Sequence, residues 1–336
     1  MLKIRPLSLL PLLLLAACET TEDPAPDAAV ADLATPDQTR PDASPPDQPR
    51  PDAALPCAKY AQPVKAGTVT LNVLDEASGL VVSRTNPGVL WAHNDSGDLA
   101  RIYALNTKGK HVGIYTLKGA KAQDYEDMAT GPGPVSGATY LYVGDIGDNL
   151  RLRSTVQVYR VKEPAVKSDQ APVMADLSGV AQLTFKYPDG AHNAETLLVD
   201  PKNGDLYIVV KDLATGISPV YRSAAPQDEK GTRTLTKVTT LSFGKGNLAG
   251  AKMTATTAGD ISKSGELILI KTYLDVFLWR RPAGVSLAKA LEGKPCALPI
   301  ASEPQGEAIA FDVKTDGYYT LSEKTKQPLY FFAAQN

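Results

Sequence analysis

A fivefold internal repeat constrains the fold of this chain more than any other feature. Each copy begins with a short template in which a polar residue precedes small or apolar positions and a closing Ser, Gly or Asp. The templates lie at residues 78–83, 126–131, 195–200, 257–262 and 307–312. A turn, an apolar run such as "YLYVGD", and a third run with aromatic or aliphatic residues follow each template. Three copies also carry a fourth run: "HVGIYTL", "AQLTFKY" and "KVTTLSF".

The repeat predicts an all-β chain folded as a β-propeller. The runs are rich in Val, Ile, Tyr and Thr, show no helical period, and are separated by Gly and Pro. Four such runs per repeat are typical of four-stranded propeller blades. We therefore expect five blades, with six as the alternative because a divergent blade is hard to recognise. Only residues 286–292 look helical.

The two ends of the repeat region predict circular closure. The chain ends on a third run, "PLYFFA", and an unassigned run, "TVTLNVL" (68–74), precedes the first template. An N-terminal strand that completes the last blade would remove an exposed sheet edge. Cys57 and Cys296 are predicted to form a disulfide that joins the approach of this strand to the last blade. A zinc site is disfavoured because the histidines are scattered: His93, His111 and His192.

The N-terminus has the pattern of an export signal. Lys3 and Arg5 precede an apolar stretch at 7–17 that is too short to span a bilayer. It ends in "LAAC", which resembles the lipobox of bacterial lipoproteins and implies cleavage after residues 1–17 and lipidation of Cys18. A plain signal peptide with an unrelated cysteine is the alternative. In similar lipoproteins, an Asp directly after the lipidated cysteine favours retention in the inner membrane. This chain has Glu19 at that position, which indicates the outer membrane or the cell surface of a bacterium.

Residues 18–56 are predicted to be a disordered tether. Pro-Asp recurs in this stretch and large apolar residues are almost absent, so burial cannot offset the loss of chain entropy. The remaining residues, 57–336, are expected to form the propeller head.

Several segments resemble a group of secreted bacterial propeller proteins. The resemblance rests on "VLWAHNDSGD", "YEDMATGPGP", "YLYVGDIGDN" and "GEAIAFD", and it covers about residues 68–334. The chain is also loosely similar to phytase-like esterase propellers and to propellers of the TolB and SMP30 type. By analogy with these relatives, the resemblance implies a propeller with calcium or a phosphorylated or sugar-like ligand.

Three glutamates are the strongest candidates for a metal site. They occupy the first template position, which should face the top of the central channel: Glu126, Glu195 and Glu307. Converging carboxylates repel one another, so a cation is expected among them. Oxygen donors without His or Cys suit Ca²⁺ or Mg²⁺ better than Zn²⁺, and Ca²⁺ is the cofactor we expect. The alternative is a structural ion-pair network in which a basic side chain neutralises the ring: Lys211, Lys271 or Arg101.

Two acidic loops should lie at the same end of the propeller as the glutamates. They are "HNDSGD" (93–98) and "GDIGDN" (144–149), and each follows a second strand. The side chains expected to reach the channel mouth are Asn94, Asp95, Asp145 and Lys211, and for Asn94 and Asp145 a turn-forming role is an equal alternative. Asp148 and Asn149 are predicted to shape the turn instead. His192 is a candidate general base near the mouth, with a structural hydrogen bond as the alternative.

Other chemistries find little support. The chain lacks a nucleophile elbow, a phosphate-binding loop and a dinucleotide fingerprint. A net charge of −2 without basic clusters disfavours nucleic acid. The leading expectation is a lipid-anchored extracytoplasmic binding module for a glycan, a peptide or an envelope protein. Alternatives are a divalent-metal-dependent hydrolase, phosphoesterase- or lactonase-like, and a structural envelope scaffold.

Overall fold

A computed structural model describes residues 57–213, 215–244 and 253–335, which form a five-bladed β-propeller. Blade 1 contains β3 (Ala77–Val82), β4 (Val89–Asn94), β5 (Arg101–Asn106) and β6 (His111–Leu117). Blade 2 contains β7 (Tyr125–Pro132), β8 (Thr139–Asp145), β9 (Val156–Lys162) and β11 (Ala181–Lys186). Blade 3 contains β12 (Ala194–Val199), β13 (Leu206–Val210), β14 (Ile217–Ser223) and β16 (Thr236–Ser242).

The remaining two blades complete the ring. Blade 4 contains β17 (Thr256–Ile261), β18 (Leu267–Thr272), β19 (Val276–Arg280) and β20 (Cys296–Leu298). Blade 5 contains β21 (Gly306–Phe311), β22 (Tyr318–Ser322), β23 (Pro328–Phe332) and, from the N-terminal side, β2 (Val64–Thr68). The predicted fold of five four-stranded blades is confirmed. The predicted segments 1–17 and 18–56, with Cys18, lie outside the described residues.

The blades pack through apolar interfaces. Alternate strand residues from neighbouring blades form five apolar clusters, and each cluster fills one interface between blades. The predicted helix is α1 (Leu287–Leu291), with Ser286 as its N-cap and Glu292 as its C-cap. Its buried face packs into the cluster between blades 3 and 4. No helix among the described residues is long and apolar enough to cross a membrane.

The closing strand lies several residues before the predicted one. β2 pairs antiparallel with β23, with Val64 opposite Phe331 and Thr68 opposite Pro328. Circular closure is therefore confirmed, but the prediction of a strand at 68–74 is wrong. Val69 and Leu74 are buried between blades 5 and 1, so this connection has the apolar character of a strand while it leads to β3.

Further connections lie at the N-terminal side and at the blade edges. The predicted disulfide between Cys57 and Cys296 is present, with a Cα–Cα distance of 5.7 Å. Cys296 belongs to the outer strand of blade 4, however, and not to the last blade as predicted. β1 (Lys59–Tyr60) then pairs with β24 (Ala334–Gln335). β10 (Val173–Leu177) and β15 (Thr232–Thr234) add parallel edge strands to blades 1 and 2.

Candidate functional site: an acidic cup at the channel mouth

The inner strand of every blade begins at the same end of the propeller. The first template positions lie at or beside these strand starts, and all of them are buried: Ser78, Glu126, Glu195, Thr257 and Glu307. The glutamates are close enough for Glu195 to interact electrostatically with both Glu126 and Glu307. The channel mouth is therefore strongly acidic. We call this region the acidic cup.

A buried aspartate lies next to Glu126 among the inner strands. The Asp127 side chain in β7 accepts the backbone N–H of Leu197 in blade 3 at 2.9 Å. It also accepts the N–H of Gly259 in blade 4 at 3.1 Å. This carboxylate ties three inner strands together, and burial raises its pKa well above the ordinary value. The inner strands of blades 2, 3 and 4 therefore meet at Asp127.

Two template glutamates are satisfied by neighbouring side chains. The Lys211 ammonium lies 2.5 Å from Glu195 and donates to the Tyr273 hydroxyl at 3.0 Å. Tyr273 in turn donates to Glu307 at 2.7 Å, and Gln305 donates to the same oxygen at 3.2 Å. Burial lowers the pKa of Lys211, but the Glu195 carboxylate, Tyr273 and Glu307 together raise it by more. The net shift is upward, so the lysine stays charged. The Lys211 ammonium thus compensates the charge of Glu195 and, through Tyr273, connects it to Glu307.

Glu126 has no such partner. It is 1% exposed, and no residue within the described ranges donates a hydrogen bond to its side chain. Oxygen atoms of Glu126, Asp95 and Asp124 lie within 4.8 Å of one another. Burial raises the pKa of Glu126 well above its ordinary value, Glu195 and Asp95 raise it further, and the nearby Lys211 only partly opposes them. Burial also raises the pKa of Asp95 to about 6 and that of Asp124.

A second acidic group shares Asp95 with the first. It contains Glu76 and Glu323, whose oxygens lie within 4.8 Å of each other and of Asp95. Burial raises the pKa of Glu323, and the nearby Glu307 raises it further. Lys324 lies 3.6 Å from Glu323 but is largely exposed. Carboxylates therefore outnumber buried cations on the side of the cup formed by blades 5, 1 and 2.

The "GDIGDN" loop covers the first group. A Cβ atom at Gly147 would overlap the Glu126 carboxylate and lie 2.5 Å from the carboxyl carbon of Asp124. Asp145 pairs with Arg153 at 2.8 Å and accepts the backbone N–H of Asp124 at 3.1 Å. Asp145 therefore positions Asp124 and does not itself face the carboxylate group.

The end of this loop is a local turn. Asp148 accepts the backbone N–H groups of Leu152 at 2.9 Å and Arg153 at 2.7 Å. Asn193 accepts the N–H of Asp148 and donates to the Asn149 side chain at 3.3 Å. Asp148 and Asn149 thus shape the turn and fasten it to blade 3.

Asn94 and Arg101 have structural partners. Asn94 accepts the backbone N–H of Glu76 at 3.1 Å and donates to the carbonyl of Val73 at 2.6 Å. It therefore holds the connection from blade 5 to blade 1. Arg101 pairs with Asp98 and not with a template glutamate.

His192 and Lys271 also lie outside the unpaired group. His192 contacts Asp189 and the Tyr221 hydroxyl, each at 3.0 Å. Lys271 is fully buried and donates to the carbonyl of Gly306 at 2.5 Å. Its nearest carboxylate is Glu303, at 3.8 Å, so this lysine serves a different carboxylate from the template ring.

Sequence reasoning missed four members of the cup, although a signal for one existed. The missed residues are Asp124, Gly147, Tyr273 and Glu323. Asp124 lies two positions before Glu126, as Glu76 lies two before Ser78 and Gln305 two before Glu307. A comparison of these preceding positions across the repeats would have brought Asp124 into the candidate set. Tyr273 and Glu323 each directly follow a second strand, as Asp95 and Lys211 do, but the residue type at this position changes from blade to blade.

Comparisons with known proteins add no identity to this geometry. No model of a known protein family matches the chain, and no curated protein matches it.

Proposed function

We propose that this protein is a lipid-anchored extracytoplasmic binding module whose acidic cup holds a divalent cation. The observation that supports the proposal is Glu126, a buried carboxylate with no hydrogen-bond donor among the described residues, beside Asp95 and Asp124. A buried charge is costly unless it is paired or coordinates a metal. The ion-free cup must therefore keep protons on these carboxyls, whereas a cation would compensate their charge.

The donor set favours calcium over the common transition metals. The group offers carboxylate oxygens alone, and hard oxygen donors suit Ca²⁺ better than Zn²⁺ or Cu²⁺. The residues that would hold the ion are Asp95, Asp124 and Glu126, with Asp145 positioning Asp124 through its backbone. Water would complete the coordination shell. Glu195 and Glu307 are assigned to the Lys211 and Tyr273 network instead.

Thermal unfolding with calcium or EDTA tests the ion. Binding to the folded state stabilises by RT ln(1 + [L]/Kd), about 2.7 kcal/mol at a hundredfold excess over Kd. For a head of this size, that corresponds to a rise in Tm of roughly 5 °C. Glu126→Gln should abolish the rise, and Asp148→Asn, in the turn of the same loop, should keep it. A Tm of the wild type that responds to neither calcium nor EDTA would contradict the proposal.

The anchor is a separate part of the proposal. Cleavage after residues 1–17 would leave Cys18 as the lipidated N-terminus, with 18–56 as the tether. Cys18→Ser should move the protein from the membrane fraction to the soluble fraction. A variant that stays in the membrane fraction like the wild type would refute lipid anchoring and leave the ion site unaffected.

A further inference from the structure

Exposed leucines mark one face of the propeller. Within the described ranges, every leucine among the exposed large apolar residues lies in a loop between the second and third strands of a blade. Blades 1 to 4 each contribute at least one of them: Leu99, Leu150, Leu152, Leu213 and Leu274. Their exposures range from 40% for Leu213 to 78% for Leu150 and Leu152. We call these five residues the leucine crown.

The leucine crown lies at the same end of the molecule as the acidic cup. Consecutive strands of a blade run in opposite directions, so the second strand ends where the inner strand begins. The loops that carry the leucines therefore surround the channel mouth. In blade 2 the same loop supplies Gly147 over the carboxylates and Leu150 and Leu152 to solvent.

This arrangement differs from the scattered apolar residues of an ordinary surface. Single exposed leucines need no explanation, but apolar side chains gathered on one face indicate an interaction site. The corresponding loop of blade 5 has no leucine and contains Lys324 and Lys326 instead. The apolar ring is thus open on the side where the second acidic group lies.

An acidic cavity lies on that open side. It has a volume of about 380 Å³, and its lining includes the carboxylates of Asp75, Glu76 and Asp98 together with the Arg101 guanidinium. Asp98 already binds Arg101, whereas no basic side chain in the described part of the chain pairs with the carboxylates of Asp75 and Glu76. The cavity therefore offers two carboxylates to a cationic side chain, and Leu99 follows the lining residue Asp98 in the chain.

We propose that the leucine crown and this cavity dock a polypeptide that presents a lysine or arginine flanked by apolar residues. The apolar flanks would cover the leucines, and the cation would enter the cavity beside Asp75 and Glu76. The proposal rests on the binding role proposed above and names its partner class, but it does not require the ion at Glu126.

Charge distinguishes a polypeptide from the other possible occupants. Two copies that met crown to crown would bring two acidic cups together, and like charges that face each other are unfavourable. A bilayer that received the leucines would place lipid phosphates against the carboxylates. A polypeptide can bring apolar surface and a positive charge together, and electrostatic complementarity of this kind confers specificity.

Selection from random twelve-residue peptides displayed on phage tests the partner class. The bait is the full chain with Cys18→Ser, so that no lipid contributes. We expect enrichment of peptides with a lysine or arginine between apolar residues. A consensus without a basic residue, or no enrichment over a blank surface, would overturn the proposal.

Fluorescence anisotropy of a labelled selected peptide tests the surface. Leu150→Asn with Leu152→Asn should raise Kd at least tenfold, the size typical of important interface residues. Glu76→Gln should raise Kd on the order of tenfold, because it removes one unpaired carboxylate of the cavity. The matched control, Val135→Asn with Met174→Asn, replaces exposed apolar residues in the opposite-end loop of blade 2 and in β10 and should leave Kd unchanged. Equal Kd values for all three variants would overturn the proposal.

Two further measurements address the other occupants. If the protein sedimented with vesicles of phosphatidylcholine and phosphatidylglycerol and the variant with Leu150→Asn and Leu152→Asn did not, the leucine crown would be a membrane-binding face. If sedimentation velocity showed a dimer that the same variant lost, the leucine crown would be an interface with a second copy. Either result overturns the proposal. Peptide binding that persists in EDTA, together with a Tm that ignores calcium, would reject only the ion.

Discussion

Replacing Glu126 by glutamine should stabilise the ion-free protein at neutral pH, although the residue is buried and polar. The wild-type carboxyl lies beside Asp95 and Asp124 without a hydrogen-bond donor from the described residues. Its pKa in the folded state is raised well above the ordinary value of 4.5, first by burial. Folding therefore requires either a buried unpaired charge or the uptake of a proton.

The size of the effect follows from proton linkage. A carboxyl with a raised folded-state pKa costs nothing below its unfolded pKa of 4.5, and its cost grows as pH rises toward the folded value. The growth is about 1.4 kcal/mol per pH unit. Glutamine is neutral at every pH, so the variant should match the wild type near pH 4.5. At pH 7, which is 2.5 units above 4.5, it should exceed the wild type by at most about 3.5 kcal/mol from this carboxyl alone.

Urea denaturation in EDTA across this pH range measures the difference directly. Titrating groups that do not interact with Glu126, such as the buried His93 and Lys271, are common to both proteins and cancel in the difference. Asp95 and Asp124, by contrast, ionise more easily in the variant and add to its advantage. Excess calcium should reverse the order, because only the wild type gains from the ion. A Glu126→Gln variant that is less stable than the wild type in EDTA at pH 7 would show that the protein itself compensates the charge.

Three further predictions follow from the cup and the closure. Gly147→Ala should push the Glu126 side chain aside and cost about 1–3 kcal/mol of unfolding free energy. Calcium titration calorimetry should show weaker calcium binding by this variant. An unchanged calcium affinity would contradict the close approach of Gly147 to Glu126. Glu195→Gln should leave Lys211 as a buried unpaired cation and cost about 3–5 kcal/mol with or without calcium; a loss only in calcium would make Glu195 an ion ligand. Cys57→Ala should lower the unfolding free energy by up to about 5 kcal/mol, since the disulfide joins residues 239 positions apart, and an unchanged urea midpoint would refute this.

The propeller was predictable because each blade repeats the same apolar pattern. The strands that escaped prediction lack that pattern or imitate it. β10 is mostly exposed, so its sequence carries no alternation of apolar and polar positions. The connection after β2 buries Val69 and Leu74 and thus resembles a strand. Both cases depend on contacts between blades that no local stretch of sequence encodes.

The acidic cup was predictable as a location, but the partners within it were not. The repeat template indicates that Glu126, Glu195 and Glu307 occupy equivalent positions, and equivalent positions meet at the mouth. Lys211 pairs with Glu195 and Tyr273 donates to Glu307, each from the position that follows a second strand, where the residue type changes from blade to blade. Glu126 therefore differs from the other two glutamates because no described side chain pairs with it, and this could not be predicted from the repeat.

The most direct test of the ion site is anomalous X-ray diffraction from crystals grown with calcium, with manganese exchange as a stronger scatterer. The account predicts one anomalous peak bound by oxygens of Asp95, Asp124 and Glu126, at about 2.3–2.6 Å for calcium. A map without a peak, in which these carboxyls share protons with one another, would contradict it.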